Sequence, residues 1–219
     1  MPQCIPTVCG QPWLKMAPKG EDSSVSDFDS DAPLEYDPAH GFIRTATGRI
    51  VLRVDELERG LLSSLFTQII DLLDPVPADQ LDPLAQMVGI AESAQRPDDA
   101  ALARLLPDAY PDDDAASVDF RRYTERDLRD GKVARARIAL DMLAATGPKI
   151  TLTEDQAEAW MLAINDVRLA LGTRLGIEEE NHEALVRRAE TDPSASAIHV
   201  YDWLTYLAET LVRCLQSED

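Results

Sequence analysis

Cysteine is scarce in this sequence: three residues, Cys4, Cys9 and Cys214, in a chain of 219. So few thiols cannot build a disulfide scaffold, and each must be judged by its position. Histidine is equally sparse. His40, His182 and His199 are far apart, and the one that stands among acids, in Glu179-Glu180-Asn181-His182, lacks the second imidazole of a zinc-binding helix. No metal and no cofactor are therefore expected. Long apolar runs are missing as well, for no stretch approaches the roughly 18 consecutive apolar residues of a membrane span. Met1 to Leu14 shows neither a basic section nor an apolar section of a signal peptide. These features lead us to expect a cytoplasmic protein with no membrane partner. Nor is there a glycine-rich phosphate loop or a nucleophile elbow. Paired carboxylates abound, but in so acidic a chain they single out nothing, and the expectation is that the protein is not an enzyme.

What is abundant is negative charge. Forty acidic residues against 21 basic ones leave a formal net charge of −19. Nucleic acid is a polyanion whose binding requires local Lys and Arg density, so a chain this acidic is repelled by it at long range. An acidic surface instead suits a basic protein partner, or serves solubility alone. One stretch runs against the trend, from Phe120 through Arg121, Arg122, Arg126, Arg129, Lys132 and Arg135 to Arg137. Arg121, Arg122, Arg126 and Arg129 are the candidates for a weak nucleic-acid contact. Interleaved acids and pairs such as Glu125 with Arg129, one helical turn apart, favour a solvated helix.

Hydropathy patterning predicts a mainly α protein: a helical bundle with a small N-terminal β-hairpin and a disordered N-terminal tail. Residues 1–40 are rich in Pro, Ser, Asp and Glu and cannot bury enough apolar surface to offset their ordering entropy. A helical domain over 41–217 follows. Phe42-Ile43-Arg44 and Arg49 to Val54 read as two strands around a turn at Gly48. Asp55 and Glu58 form a capping box for a helix that carries Leu57, Leu61, Leu62, Leu65, Phe66, Ile69 and Leu73, with Pro75 and Pro77 ending it. Short helices are expected near 81–90 and 98–106, and a long one over 117–146, up to Gly147-Pro148. Thr153, or Thr151, should cap a helix with the stripe Trp160, Ile164, Val167, Leu171 and Leu175. Helices over about 179–190 and 197–216 complete the bundle.

Two groups of residues remain as candidate sites. Asn165, Asp166, Arg168 and Arg174 lie within the amphipathic helix of Trp160, where they could form a polar network with another helix or a partner site. Gly172 in the same helix costs about 1 kcal/mol against alanine, which points to close helix approach. The second group is Cys4-Ile5-Pro6-Thr7-Val8-Cys9. A disulfide requires the Cα atoms to come within about 4.4–6.8 Å, and Pro6 favours the necessary reversal. Closing so short a loop restricts the open chain by only about 2 kcal/mol, so such a bond could reshape the head but not staple a fold. A redox switch and two incidental thiols both fit these residues. Cys214, one turn beyond Leu211 on the stripe Val200, Leu204, Leu207, Leu211, is assigned to the core.

The strings Asn165-Asp166-Val167-Arg168-Leu169-Ala170-Leu171-Gly172-Thr173-Arg174-Leu175 and Tyr201-Asp202-Trp203-Leu204-Thr205-Tyr206-Leu207, with Tyr123-Thr124-Glu125, carry a resemblance. Over roughly residues 40–217 the chain resembles an actinobacterial family long described as a domain of unknown function, with an oxidative-stress regulator among its members. The resemblance implies a redox-sensing transcriptional regulator. It further implies an intramolecular disulfide at Cys4 and Cys9 that promotes interaction with a stress-type ECF sigma factor of RNA polymerase. The implied output is expression of cysteine-biosynthesis genes. Family genes lie beside that of the Clp adaptor ClpS, so an adaptor role in Clp proteolysis, or a structural role with incidental cysteines, stands as the alternative.

Overall fold

Residues 40–73, 95–145, 147, 149–192 and 195–216 are those described by the computed structural model of the chain. Cys4 and Cys9, the expected tail short of His40, the helix expected near 81–90, and Pro75, Pro77, Pro148 and Pro193 lie outside them. The described part is mainly helical with one small sheet.

Strands β1 (Gly41–Arg44) and β2 (Ile50–Arg53) pair antiparallel, Phe42 opposite Leu52 and Arg44 opposite Ile50. Their turn closes through the Thr45 N–H on the Arg49 carbonyl at 2.8 Å and the Gly48 N–H on the Thr45 carbonyl at 2.9 Å. Gly48 supplies the positive φ of 76° that this turn needs. The hairpin of the sequence reading is joined by a third strand, β3 (Lys149–Leu152), antiparallel to β2 with Ile150 opposite Leu52 and Leu152 opposite Ile50. Ile150 and Leu152 point inward while Lys149 and Thr151 point out, the alternation of a half-buried strand. Only four residues long and pressed against a helix cap, it reads from sequence as the run-up to that helix.

Helix α1 (Glu56–Leu73) starts at the predicted capping box: Asp55 Oδ1 accepts the Glu58 N–H and Glu58 Oε2 accepts the Asp55 N–H, both at 2.8 Å. It buries Leu62, Leu65, Phe66, Ile69 and Leu73, whereas Leu57, in the first turn, is exposed rather than part of the apolar face. Short α2 (Ala100–Leu105) is capped by Asp99. The long helix α3 (Asp114–Leu143) begins three residues earlier than expected because the Asp113 side chain caps it, accepting the Ala116 N–H. In α4 (Glu154–Leu175) the cap is Thr153, with Gln156 completing a second capping box, and Gly176 ends the helix at a φ of 64°. Helices α5 (His182–Thr191) and α6 (Ala197–Gln216) follow.

At the centre of the bundle α4 packs against α3, α6, α2 and α1. Trp160 on this helix is fully buried, with Phe42 of β1 and Phe66 of α1 edge-on to it at ring-centroid distances of 5.8 and 5.4 Å. The inward residues of the sheet (Phe42, Ile50, Leu52, Ile150, Leu152) join the same core as the helices. At about 25 cal/mol per Å² of apolar area, side chains of this size are the main source of stability. No described helix is long and apolar enough to cross a membrane.

Candidate functional site

The polar residues of α4 do not converge on a common point. Each ties this central helix to a different neighbour. Asp166 is buried and accepts a hydrogen bond from Lys132 Nζ of α3 at 2.6 Å. Its second oxygen, Oδ2, has no hydrogen-bond partner. Arg168 turns toward α6, where Nε donates to Thr205 Oγ1 at 3.1 Å and the guanidinium lies 5.5 Å from the centre of the Tyr201 ring. Arg174 Nη2 reaches Asp99 Oδ2 at 2.5 Å, and Asp99 Oδ1 also caps α2 by accepting the Leu102 N–H at 2.9 Å. Burial alone would raise the Asp99 pKa. The Leu102 N–H and the Arg174 guanidinium outweigh it and hold the carboxyl below its ordinary value. Asn165 is exposed on the outer side.

Gly172 has the role its position suggests. A Cβ there would sit 3.1 Å from Cε2 of Tyr201, so the missing side chain lets α6 approach α4. Residues that read as one motif therefore set the spacing of α2, α3, α4 and α6. Lys132, Thr205, Tyr201 and Asp99, which complete these links, are absent from the candidate set drawn from sequence.

The basic stretch of α3 divides between two faces. Arg121 is 5% exposed and donates to Glu125 Oε2 at 2.8 Å, Asp108 Oδ1 at 2.7 Å and the Leu106 carbonyl at 3.0 Å. Burial works against its charge, but Glu125 and Asp108 more than offset this and raise its pKa, keeping it protonated. Arg129 binds the other oxygen of Glu125 at 2.7 Å and donates to the Leu73 carbonyl at the end of α1. Glu125 thus bridges two arginines on the inner side of α3, and neither presents its guanidinium outward for a phosphate. Arg126 faces solvent, and Arg122 is half-buried with its guanidinium 5.9 Å from the centre of the Tyr123 ring. Asp119 lies 3.5 Å from Arg122 and Asp130 lies 4.0 Å from Arg126, each one turn along the helix.

The helical spacing explains why charged residues are inside. The buried Ala136, Ala139 and Leu143, carried back in steps of three and four, reach Lys132, Arg129, Glu125, Arg121 and the buried Ser117. That periodicity is visible in the sequence. What it means depends on acceptors from the Leu106–Asp108 segment and from α4, which local sequence does not supply.

His40, the first described residue, is tied to α1 and α6. Its Nδ1 lies 3.0 Å from Oε2 of Glu58, the capping-box residue of α1, and its carbonyl accepts from Tyr206 Oη at 3.4 Å. The Phe42 N–H donates to Thr210 Oγ1 at 3.2 Å, and Arg44 Nε donates to the Cys214 carbonyl at 2.9 Å. Residues 40–44 are therefore seated on the C-terminal half of α6. His182 pairs with Asp202 at 2.8 Å across α5 and α6, while His199 is exposed. Among the described residues no group of three or more His, Cys, Asp or Glu is placed to hold a metal ion.

Cys214 is in the core, 5% exposed, as its place on the apolar stripe of α6 suggests. Burial pushes the thiol pKa up against the opposing pull of Arg44, which keeps the sulfur protonated and poorly nucleophilic. The reactive form is disfavoured there.

Comparison with known proteins covers most of the described part of the chain. Residues 39–215 match a family whose description is "Domain of unknown function (DUF2017)". That match stops short of Cys4 and Cys9. The chain is 39% identical to the oxidative stress regulator AosR of Mycobacterium tuberculosis over 176 residues, covering 72% of this chain and 78% of the relative. The protein of the same name from Mycobacterium bovis gives the same identity and coverage. No solved structure matches the chain.

Proposed function

We propose that this chain, which belongs to the DUF2017 family, is a cytoplasmic regulator of the oxidative-stress response that senses oxidant through its own thiols and acts without enzymatic activity. The observation that carries this reading is the 39% identity with two oxidative stress regulators over most of the chain. Oxidant is sensed at Cys4 and Cys9, which lose two electrons and two protons to peroxide and form an intramolecular disulfide. The burial and raised pKa of Cys214, which disfavour its own oxidation, support that choice.

The oxidised protein acts on transcription by binding a stress-type ECF sigma factor with RNA polymerase, and the output is raised expression of cysteine-biosynthesis genes. A protein partner rather than DNA is favoured by the net charge of −19 and by the inward, acid-paired state of Arg121 and Arg129. The test is capture of the sigma factor by wild type and Cys4→Ser, each with and without peroxide, alongside mass spectrometry under non-reducing conditions. Oxidant should raise capture by wild type only, together with a Cys4–Cys9 bond. Equal capture by both proteins would overturn the switch.

A further inference from the structure

The sheet has one edge that the body closes and one that it leaves open. At the β1 edge the Phe42 N–H, which points away from β2, is taken by Thr210 Oγ1 of α6. The turn sets the phase of the ladder: the Thr45 N–H bonds the Arg49 carbonyl, and bonded and non-bonded pairs alternate back from there along β1 and β2. Carried across to β3, this alternation turns the backbone groups of Ile150 and Leu152 toward β2 and those of Lys149 and Thr151 outward. Among the described residues nothing bonds the outward N–H and C=O groups of Lys149 and Thr151, and both side chains are exposed. Such an edge is a template for another extended segment. Its charge narrows the choice. Lys149 stands opposite Arg53, two cations side by side in a chain of net charge −19, and Lys149 has no ion pair among the described residues. Like charges directly opposite one another oppose strand pairing, and an acid on the free side of Lys149 offsets them.

We propose that Phe28-Asp29-Ser30-Asp31 of the same chain, outside the described residues, adds to this edge as a fourth strand antiparallel to β3. Asp31 then lies opposite Lys149 and Asp29 opposite Thr151, the two residues whose backbone groups are open. Both acids share the outer face with Lys149. Phe28 and Ser30 take the inner side beside Leu152 and Ile150, so the pleat of the sheet is matched. The direction suits the chain as well. β1 and β3 run in the same sense, so Gly41 lies at the Lys149 end of the sheet, where the added strand finishes. Crossing from the fourth position to β1 takes three strand spacings, about 14 Å, and the ten steps from Asp31 to Gly41 reach up to about 33 Å. Leu34-Glu35-Tyr36-Asp37 alternates in the same way, but the three steps from Asp37 to His40 reach only about 10 Å, and His40 is held by Glu58 and Tyr206. A second copy's β3 brings another lysine to this edge and no acid.

Amide hydrogen exchange of the full chain, read residue by residue by NMR, tests this. The Thr151 N–H should exchange about tenfold or more slowly in wild type than in Asp29→Pro, which removes the N–H that bonds the Thr151 carbonyl. Asp31→Lys should release the same amide by setting three cations in a row, and adding Lys149→Asp should restore its protection. That rescue holds the test even if Asp29→Pro disturbs more than one strand. A Thr151 amide that exchanges as fast in wild type as in Asp29→Pro overturns the proposal. Protection that survives both Asp29→Pro and Asp31→Lys overturns it equally: residues 74–94 then cover the edge, or a second copy does, in which case protection falls on dilution.

Discussion

Replacing Lys132 with methionine would strand a carboxylate in the core. Asp166 is 4% exposed, Lys132 lies 2.6 Å from its Oδ1, and its Oδ2 has no hydrogen-bond partner to take over the charge. Removing one member of a buried ion pair costs about 3–5 kcal/mol, because the remaining charge keeps its desolvation penalty and loses its attraction. Replacing both members with apolar residues of similar size is neutral or stabilising by about 1–4 kcal/mol in comparable cases. Against a total stability of about 5–15 kcal/mol for a domain, the single change takes a large share. Urea denaturation of wild type, Lys132→Met, Asp166→Leu and the double variant closes the cycle. We expect Lys132→Met to lose about 3 kcal/mol or more and the double variant to return to within about 1 kcal/mol of wild type. If Lys132→Met costs less than about 1 kcal/mol, or the two changes simply add, then Asp166 is solvated and the pair does not link α3 to α4.

Three further outcomes follow from the same geometry. The Arg59 side chain of α1 donates to the carbonyls of Leu143, Ala145 and Gly147 at the C-terminal end of α3, so Arg59→Ala should destabilise the fold by about 2–3 kcal/mol. Hydrogen exchange should rise first at the α3–β3 junction. Asp99 has a folded pKa below the ordinary aspartate value, so its contribution is complete above that ordinary value and is lost as pH falls through the lower folded one. The stability gap between wild type and Asp99→Asn should accordingly shrink in acid, and a gap that is constant with pH would refute the Arg174 pairing. Cys214, buried and with a raised pKa, should resist iodoacetamide in the native protein at neutral pH and react after unfolding in urea, as peptide mass spectrometry would read.

Much of the bundle was legible from local pattern. Asp55 with Glu58 and Thr153 with Gln156 satisfy helix N-terminal N–H groups with side chains three residues apart, so the starts of α1 and α4 are written in short range. The end of the last helix at Gln216 and the buried stripe of α6 through Cys214 follow from a repeat of three and four alone. β3 was missed because four alternating residues beside a capping threonine resemble a helix approach, and a strand so short exists by virtue of the β2 edge it joins. Leu57 shows the converse error: it is one turn before the flanking Leu61 but roughly 140° round α1 from the line of Leu62, Leu65, Phe66, Ile69 and Leu73, so it faces water.

The candidate sites divide along the same line. By itself the sequence determined the acidic balance, the two head thiols set apart from the one in the core stripe, and the need for close packing at Gly172, since these depend on composition, spacing and backbone propensity. Only the tertiary structure decided that Asp166, Arg168 and Arg174 serve three different helices, and that Arg121 is buried while Arg126, one turn and a residue away, faces water. A charge can be held inside only where partners from distant parts of the chain meet it, and Asp108, Lys132, Thr205 and Asp99 are brought to their places by folding rather than by sequence neighbourhood.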